Sequence, residues 1–146
     1  MSIYASKDFK FIEFVCPCGC GIDRPIDGHY IYLLQSLRDY VNQPVYITKG
    51  GGIRCLAYNK SIGGYWNSAH LFRKAGDIRS PGINVIDLAK LAKQIGFSRV
   101  GIYPYTGHVH TDVFRPVPSE AWAKGKSGRY YYYKKFKDAI EAVSKW

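Results

Sequence analysis

At 146 residues, with 47% hydrophobic and 22% charged side chains, the chain is long enough for one domain burying roughly two-thirds of its unfolded surface, which excludes a disordered chain and one needing staples to fold. No apolar run approaches the ~20 residues of a membrane-spanning helix, and Met1-Ser-Ile-Tyr-Ala-Ser-Lys-Asp8 lacks the apolar core of a secretion signal, so a chain made and folded in a cytoplasm is expected. Lys and Arg number 21 against 11 Asp and Glu, a net charge of +10 that favours a polyanionic partner; the basic residues are scattered and no helix-turn-helix or zinc-finger pattern occurs, so nucleic acid is not expected.

In chain order, residues 9–15 are apolar on both alternating sets, and a short strand or extended arm is expected. Cys16-Pro-Cys-Gly-Cys20 follows, with a fourth thiol at Cys55. Alternate residues of an extended chain share a face. The three sulfurs therefore admit small, partly buried thiols in a tight turn, a second, structural metal site, or a redox pair. A disulfide is disfavoured in a reducing compartment.

Asp27 is placed to cap a helix running to about Val41, with Tyr30, Leu33, Leu34, Leu37 and Val41 on one face. Residues 45–48 predict a buried strand, ended by Lys49-Gly-Gly-Gly52, and Arg54 follows at once, either at a cleft or on the surface. A short helix is expected over 55–62, closed by Gly63-Gly64, and Tyr65-Trp66-Asn67 leads into Ser68.

Within Ser68-Ala-His-Leu-Phe-Arg-Lys-Ala-Gly-Asp77, the two metal-capable side chains are His70 and Asp77. On one continuous helix, residues seven apart are separated by about 10 Å along the axis. They share a metal only if the chain turns between them, near Arg73-Lys74, and continues as a strand at Asp77. Asn84 and Asp87 open a second amphipathic helix, with Leu88, Leu91, Ala92 and Ile95 on its buried face and Gly96 at its end. A strand around Val100-Gly-Ile-Tyr103 then turns at Gly107 into a strand 108–113, where His108, His110 and Asp112 alternate onto one face. Two histidines and one carboxylate suit a catalytic zinc, which takes three protein ligands and keeps a fourth position for water. His70, Asp77 and the His-x-His pair supply that set and leave one histidine free for chemistry.

The tail from Pro116 carries Trp122, a Gly- and Lys-rich loop at 124–128, Tyr130-Tyr-Tyr-Tyr133 and a last helix over about 136–146. The tyrosines are expected to alternate, two inward and two outward, in a final edge strand with a docking helix behind it. An aromatic, basic surface for a polysaccharide or peptide is the alternative.

Thr48-Lys-Gly-Gly-Gly-Ile-Arg54, Tyr58-Asn59, Gly63-Gly64, Ser68-x-His70-x6-Asp77, Gly96-Phe97, Gly101-Ile-Tyr103 and His108-Val-His110-Thr-Asp112 occur in an ordered set. This set, covering roughly residues 9–115, resembles the zinc D-Ala-D-Ala carboxypeptidases and L-alanyl-D-glutamate endopeptidases. Phe14-Val-Cys-Pro-Cys-Gly-Cys-Gly21 is similar to the N-terminal signature of the branch common in phages and prophages.

The resemblance implies an α+β fold of the hedgehog/D-Ala-D-Ala peptidase kind, with a small antiparallel sheet carrying the metal site and two or three flanking helices. Residues 1–146 would form one peptidase-like domain, with a core of about 9–115 and the 116–146 extension packed on it. His70, Asp77 and His110 would bind Zn2+, His108 would be an active-site residue beside the metal, Arg54 would contact substrate and developing negative charge, and Ser68 would be a hydrogen-bonding residue near the site.

Two positions depart from the family pattern. Arg73 stands where a glycine is usual, and Gly107 stands where many carboxypeptidases of the family carry their acidic base. His108 is therefore the first candidate for the base and Asp112 the second, unless Asp112 orients a neighbouring ligand. The implied partner is the stem peptide of anionic peptidoglycan, met by a monomer released through a holin, in a virion or at lysis. The alternative is a catalytically silent, zinc-containing wall-binding or protein-interaction module.

Overall fold

The computed structural model describes residues 2–20, 25–114 and 118–146. Among these, four helices and six strands form an α+β fold around one mostly antiparallel sheet. The helices are α1 (Gly28–Val41), α2 (Leu56–Ser61), α3 (Val85–Ile95) and α4 (Phe136–Val143). The strands are β1 (Tyr46–Ile47), β2 (Ala75–Arg79), β3 (Arg99–Tyr103), β4 (His108–Asp112), β5 (Ala121–Lys124) and β6 (Tyr130–Tyr133).

Local chemistry sets the two long helices. The Asp27 carboxylate accepts from the Tyr30 amide at 3.0 Å and opens α1; the Asn84 side chain accepts from the Asp87 amide at 2.9 Å and opens α3. Gly96 closes α3 at φ 124°, a conformation that a side chain would strain. Tyr30, Leu34 and Leu37 of α1 and Leu88, Ala89 and Ala92 of α3 are buried against the sheet. Each fully buried Leu contributes roughly 1.5–3 kcal/mol.

The strand order is β1-β2-β4-β3-β5-β6, and every neighbouring pair is antiparallel except β3 with β5. The register divides the sheet into two faces of opposite character. Ile78, Val100, Ile102, Val109, Ala121 and Ala123 point into the helical side and form the core. On the other face, Asp77 pairs with His110, His110 with Gly101, Gly101 with Trp122, and Trp122 with Tyr132. One transverse row thus crosses five strands and carries the polar and aromatic groups described below.

The structure corrects several expectations. Residues 9–15 are not a strand: Phe11–Phe14 is a 3-10 turn in which the Lys10 amide donates to Glu13 at 2.6 Å. Phe9 and Phe14 are both buried, their ring centroids 6.3 Å apart, which explains an apolar pattern with no clear period. The strand expected over 45–48 is two residues long. β5 was not expected as a strand, and its parallel pairing with β3 makes the sheet mixed. The four tyrosines alternate in direction, with Tyr130 and Tyr132 on the cleft face and Tyr131 and Tyr133 on the helical face, but their exposure is not two inward and two outward. Tyr130, Tyr131 and Tyr132 are all exposed and only Tyr133 packs on the core, because an edge strand is covered fully on neither face. The last helix ends at Val143.

Among the described residues, no helix is long and apolar enough to cross a membrane.

Candidate metal centre

The loop Thr48 to Arg54 is folded against β2 through its backbone. The Thr48 amide donates to the Asp77 carbonyl at 2.9 Å, and the Asp77 amide donates to the Gly51 carbonyl at 2.7 Å. A Cβ on Gly51 would lie 2.8 Å from the Asp77 Cβ, so glycine is what lets this loop approach. Between Ser68 and Asp77 the chain makes the turn that a shared site requires. Ala69–Phe72 is a 3-10 helix whose first turn is capped by the Ser68 hydroxyl, which accepts from the His70 amide at 3.3 Å. Arg73 ends it in the left-handed conformation, φ 61°, at the position where a glycine would be easier.

These elements bring three donor atoms together. His70 Nε2 lies 3.2 Å from His110 Nδ1 and 3.4 Å from Asp77 Oδ1, and His110 Nδ1 lies 3.1 Å from Asp77 Oδ1. A tetrahedral ion bound at about 2.0–2.1 Å has ligand-to-ligand edges of about 3.3 Å, so the triangle has the size of one face of such a polyhedron.

The tautomers agree with this size. His70 Nδ1 is 2.7 Å from the Gly52 carbonyl, which only accepts, so that nitrogen carries the proton and Nε2 presents a lone pair. His110 Nε2 is 2.7 Å from Asp112 Oδ2 and donates to it, leaving the Nδ1 lone pair facing the triangle. With His110 neutral, two imidazole lone pairs and a carboxylate oxygen, all buried, converge, an arrangement that a divalent cation satisfies.

Electrostatics follow from burial and these partners. Burial alone would raise the Asp77 carboxyl, but its contacts with His70 and His110 hold it well below the usual carboxylate range. Burial lowers the His70 imidazole. It acts the same way on His110, where the bonds to Asp112 and Asp77 outweigh it and leave that ring above its ordinary value.

Arg54 is tied down on three sides. Its Nε donates to the Gly50 carbonyl at 2.9 Å, one terminal nitrogen to Asn59 Oδ1 at 3.2 Å, and the other to Asp77 Oδ2 at 3.2 Å. It therefore grips the oxygen of Asp77 that is turned away from the imidazoles, while its edge lines the cleft. Asn59 is buried, holds Arg54, and donates to the Tyr65 carbonyl at 2.9 Å.

The triangle forms the floor of a cleft of about 780 Å³. His108 lies on its wall, stacked on Tyr103 with centroids 4.2 Å apart, and its Nδ1 sits 2.9 Å from the Thr106 hydroxyl. Burial lowers this imidazole below its ordinary value, with Asp77 acting the other way, so it is neutral near pH 7. Asp112, by contrast, does not line the cleft. It is fully buried behind His110, and both of its oxygens bond the Arg99 side chain at 2.9–3.2 Å. Ser68 and Arg54 do line it, and Asp77 is the only carboxylate among its described lining residues.

Four groups had not been singled out for this site in the sequence. Arg99 holds Asp112 and lies between the rings of Phe114 and Trp122. Trp122 covers Gly101, 4.6 Å from the His110 ring, and its indole N–H donates to the Tyr103 hydroxyl at 3.0 Å. Tyr130 and Tyr132 continue the aromatic wall. The available signal was Gly101, a glycine inside a strand, which marks a close approach; here a Cβ would meet the Trp122 ring at 2.5 Å.

Two imidazoles and one carboxylate oriented by outer partners at the base of an open cleft are a donor set that could hold a single metal ion with a position open for catalysis. The chain belongs to the Peptidase M15 family, whose description it matches over residues 7–112. It is also 32% identical over 84 residues to the zinc D-Ala-D-Ala carboxypeptidase of Streptomyces albus G, a stretch that covers 57% of this chain and 32% of that relative. The match thus spans about a third of the length of the curated relative.

Proposed function

We propose that the protein is a zinc peptidase that hydrolyses an amide bond in the stem peptides of peptidoglycan, as a D-Ala-D-Ala carboxypeptidase or an L-Ala-D-Glu-type endopeptidase. The observation that carries this reading is the triangle of His70 Nε2, Asp77 Oδ1 and His110 Nδ1 on the floor of a cleft wide enough for a peptide. Membership of the Peptidase M15 family and the similarity to a zinc carboxypeptidase support the same ion and substrate class.

His70, Asp77 and His110 would hold the zinc. Bound there, it supplies Lewis acidity toward a carbonyl oxygen and lowers the pKa of water toward neutrality. His108 is the proton carrier: it is neutral near pH 7 and lines the same cleft as the triangle, and among the described lining residues no carboxylate other than Asp77 competes for the role. It accepts the proton of the attacking water and returns it to the leaving amine. Arg54 fixes Asp77 and faces the negative charge that develops on the carbonyl oxygen or the carboxylate of a peptide end. Asp112 acts through His110, holding its proton on Nε2. Ser68 shapes the turn that presents His70 and offers its oxygen to the cleft. Trp122, Tyr130 and Tyr132 come from beyond the family-matched stretch and form one wall, so we assign residues 1–146 to one working domain.

The net charge of +10 suits an anionic wall. The similarity of residues 14–21 to a phage-type signature fits a monomeric lytic enzyme that meets the wall after release from the cell. The second reading, a wall-binding module without turnover, is favoured by Gly107, which stands where an acidic base is expected.

Purified peptidoglycan incubated with the zinc-loaded protein distinguishes the two. Release of new amino groups that chelator abolishes is the expected result, and the end group identifies the bond. Binding to the wall with no release from any wall type would replace the peptidase by the module.

A further inference from the structure

The four cysteines lie outside the cleft and take no part in the chemistry above. Cys16, Cys18, Cys20 and Cys55 are all free, and their sulfurs lie within 4.8 Å of one another. Cys18 Sγ is 3.4 Å from Cys16 Sγ and 3.5 Å from Cys55 Sγ. These separations are far longer than the ~2.05 Å of a disulfide. They approach the ~3.8 Å edge of a tetrahedron of four thiolates around a zinc at about 2.3 Å.

The backbone is shaped for convergence. Gly19 adopts φ 75°, which turns the chain between Cys18 and Cys20 so that consecutive alternate sulfurs face one point. Backbone amides already donate to two of the sulfurs: the Cys55 amide to Cys16 Sγ at 3.5 Å, and the Tyr58 amide to Cys55 Sγ at 3.3 Å. Such N–H groups stabilise thiolate rather than thiol.

We propose that Cys16, Cys18, Cys20 and Cys55 form a second, structural zinc site that fastens the N-terminal arm to the loop carrying Arg54. The site is closed, with four protein ligands and no position left for substrate. It lies directly behind the catalytic loop. The Ile53 amide donates to the Phe14 carbonyl at 2.7 Å, the Gly52 carbonyl accepts from His70, and Arg54 grips Asp77. Fixing Cys55 to residues 16–20 thus fixes the groups that orient two of the three donors at the cleft floor. The proposal is independent of turnover.

Elemental analysis of protein purified without added chelator tests it. Wild type should contain two zinc ions per chain, the double variant His70→Ala/His110→Ala one, and Cys18→Ser/Cys55→Ser one. Should the cysteine variant not fold, the histidine variant reconstituted with cobalt(II) decides: it should show thiolate-to-metal charge-transfer absorption in the near ultraviolet. A single ion in wild type that disappears in the histidine variant would overturn the proposal. A non-reduced mass lower by two hydrogens per bridge would do so as well, since the thiols would then be disulfides, and iron in place of zinc would overturn the assignment of the ion.

Discussion

His110 Nε2 donates to Asp112 Oδ2 at 2.7 Å, and Asp112 has no exposed surface at all. The carboxylate is itself clamped by Arg99, so a charged pair buried under Trp122 and Phe114 decides which nitrogen of His110 faces the cleft. Outer partners of this kind commonly set a ligand's affinity by about 10–100-fold. Asp112→Asn is expected to weaken zinc binding by about that factor while leaving the secondary structure intact. Competition with a chromogenic chelator measures it. Unchanged affinity would mean that the Asp112 carboxylate charge does not contribute to holding the metal.

His108 shares the face of β4 with His110 but stacks on Tyr103 and stays outside the donor triangle. His108→Gln should therefore keep full metal content and lower kcat by about 10²–10⁴, the usual weight of one positioned acid-base group. Loss of metal in this variant would instead make His108 a ligand.

Gly51 tests the loop that fastens Asp77. A methyl group there would crowd the Thr48 side chain and the Asp77 Cβ. Gly51→Ala should cost about 1–3 kcal/mol, as overpacking does. It should also lower zinc affinity, whereas Gly63→Ala, with nothing near its Cβ but φ 72°, should affect stability alone. Denaturant unfolding and metal titration separate the two effects.

Acid and chelator act on the same atom of His110. In metal-free protein the raised value of His110 contributes stability that is complete below the ordinary histidine range and lost as pH rises through the raised value. The depressed values of Asp77 and Asp112 contribute stability above the ordinary carboxylate range that is lost as pH falls through their folded values. A metal needs the neutral imidazole, so its stabilising effect grows as His110 deprotonates. The gap in Tm between zinc-loaded and chelated protein should widen from about pH 5 to about pH 8. A constant gap would remove His110 from the ligand set.

Much of this was legible in the chain because it depends on near neighbours. Asp27 and Asn84 announce their helices through side chains that reach only three residues ahead, and the apolar stripes behind them repeat at the helical period. The seven-position spacing of His70 and Asp77 rules out a single helix, and the alternation of His108, His110 and Asp112 follows from the pleat of one strand. The 3-10 turn at Phe11–Phe14 is not legible in the sequence because the two buried phenylalanines of this segment, Phe9 and Phe14, are five positions apart, a spacing that matches neither period.

The sequence by itself determined the inventory: two helices with their caps, a hairpin around Gly107, and the histidines and carboxylates able to hold a metal. Only the tertiary structure decided how they are used, because cross-strand register is a long-range property. It set Asp77 opposite His110, turned Asp112 away from the cleft and onto Arg99, laid Trp122 over Gly101 from a parallel strand, and gathered three cysteines of the N-terminal arm around Cys55.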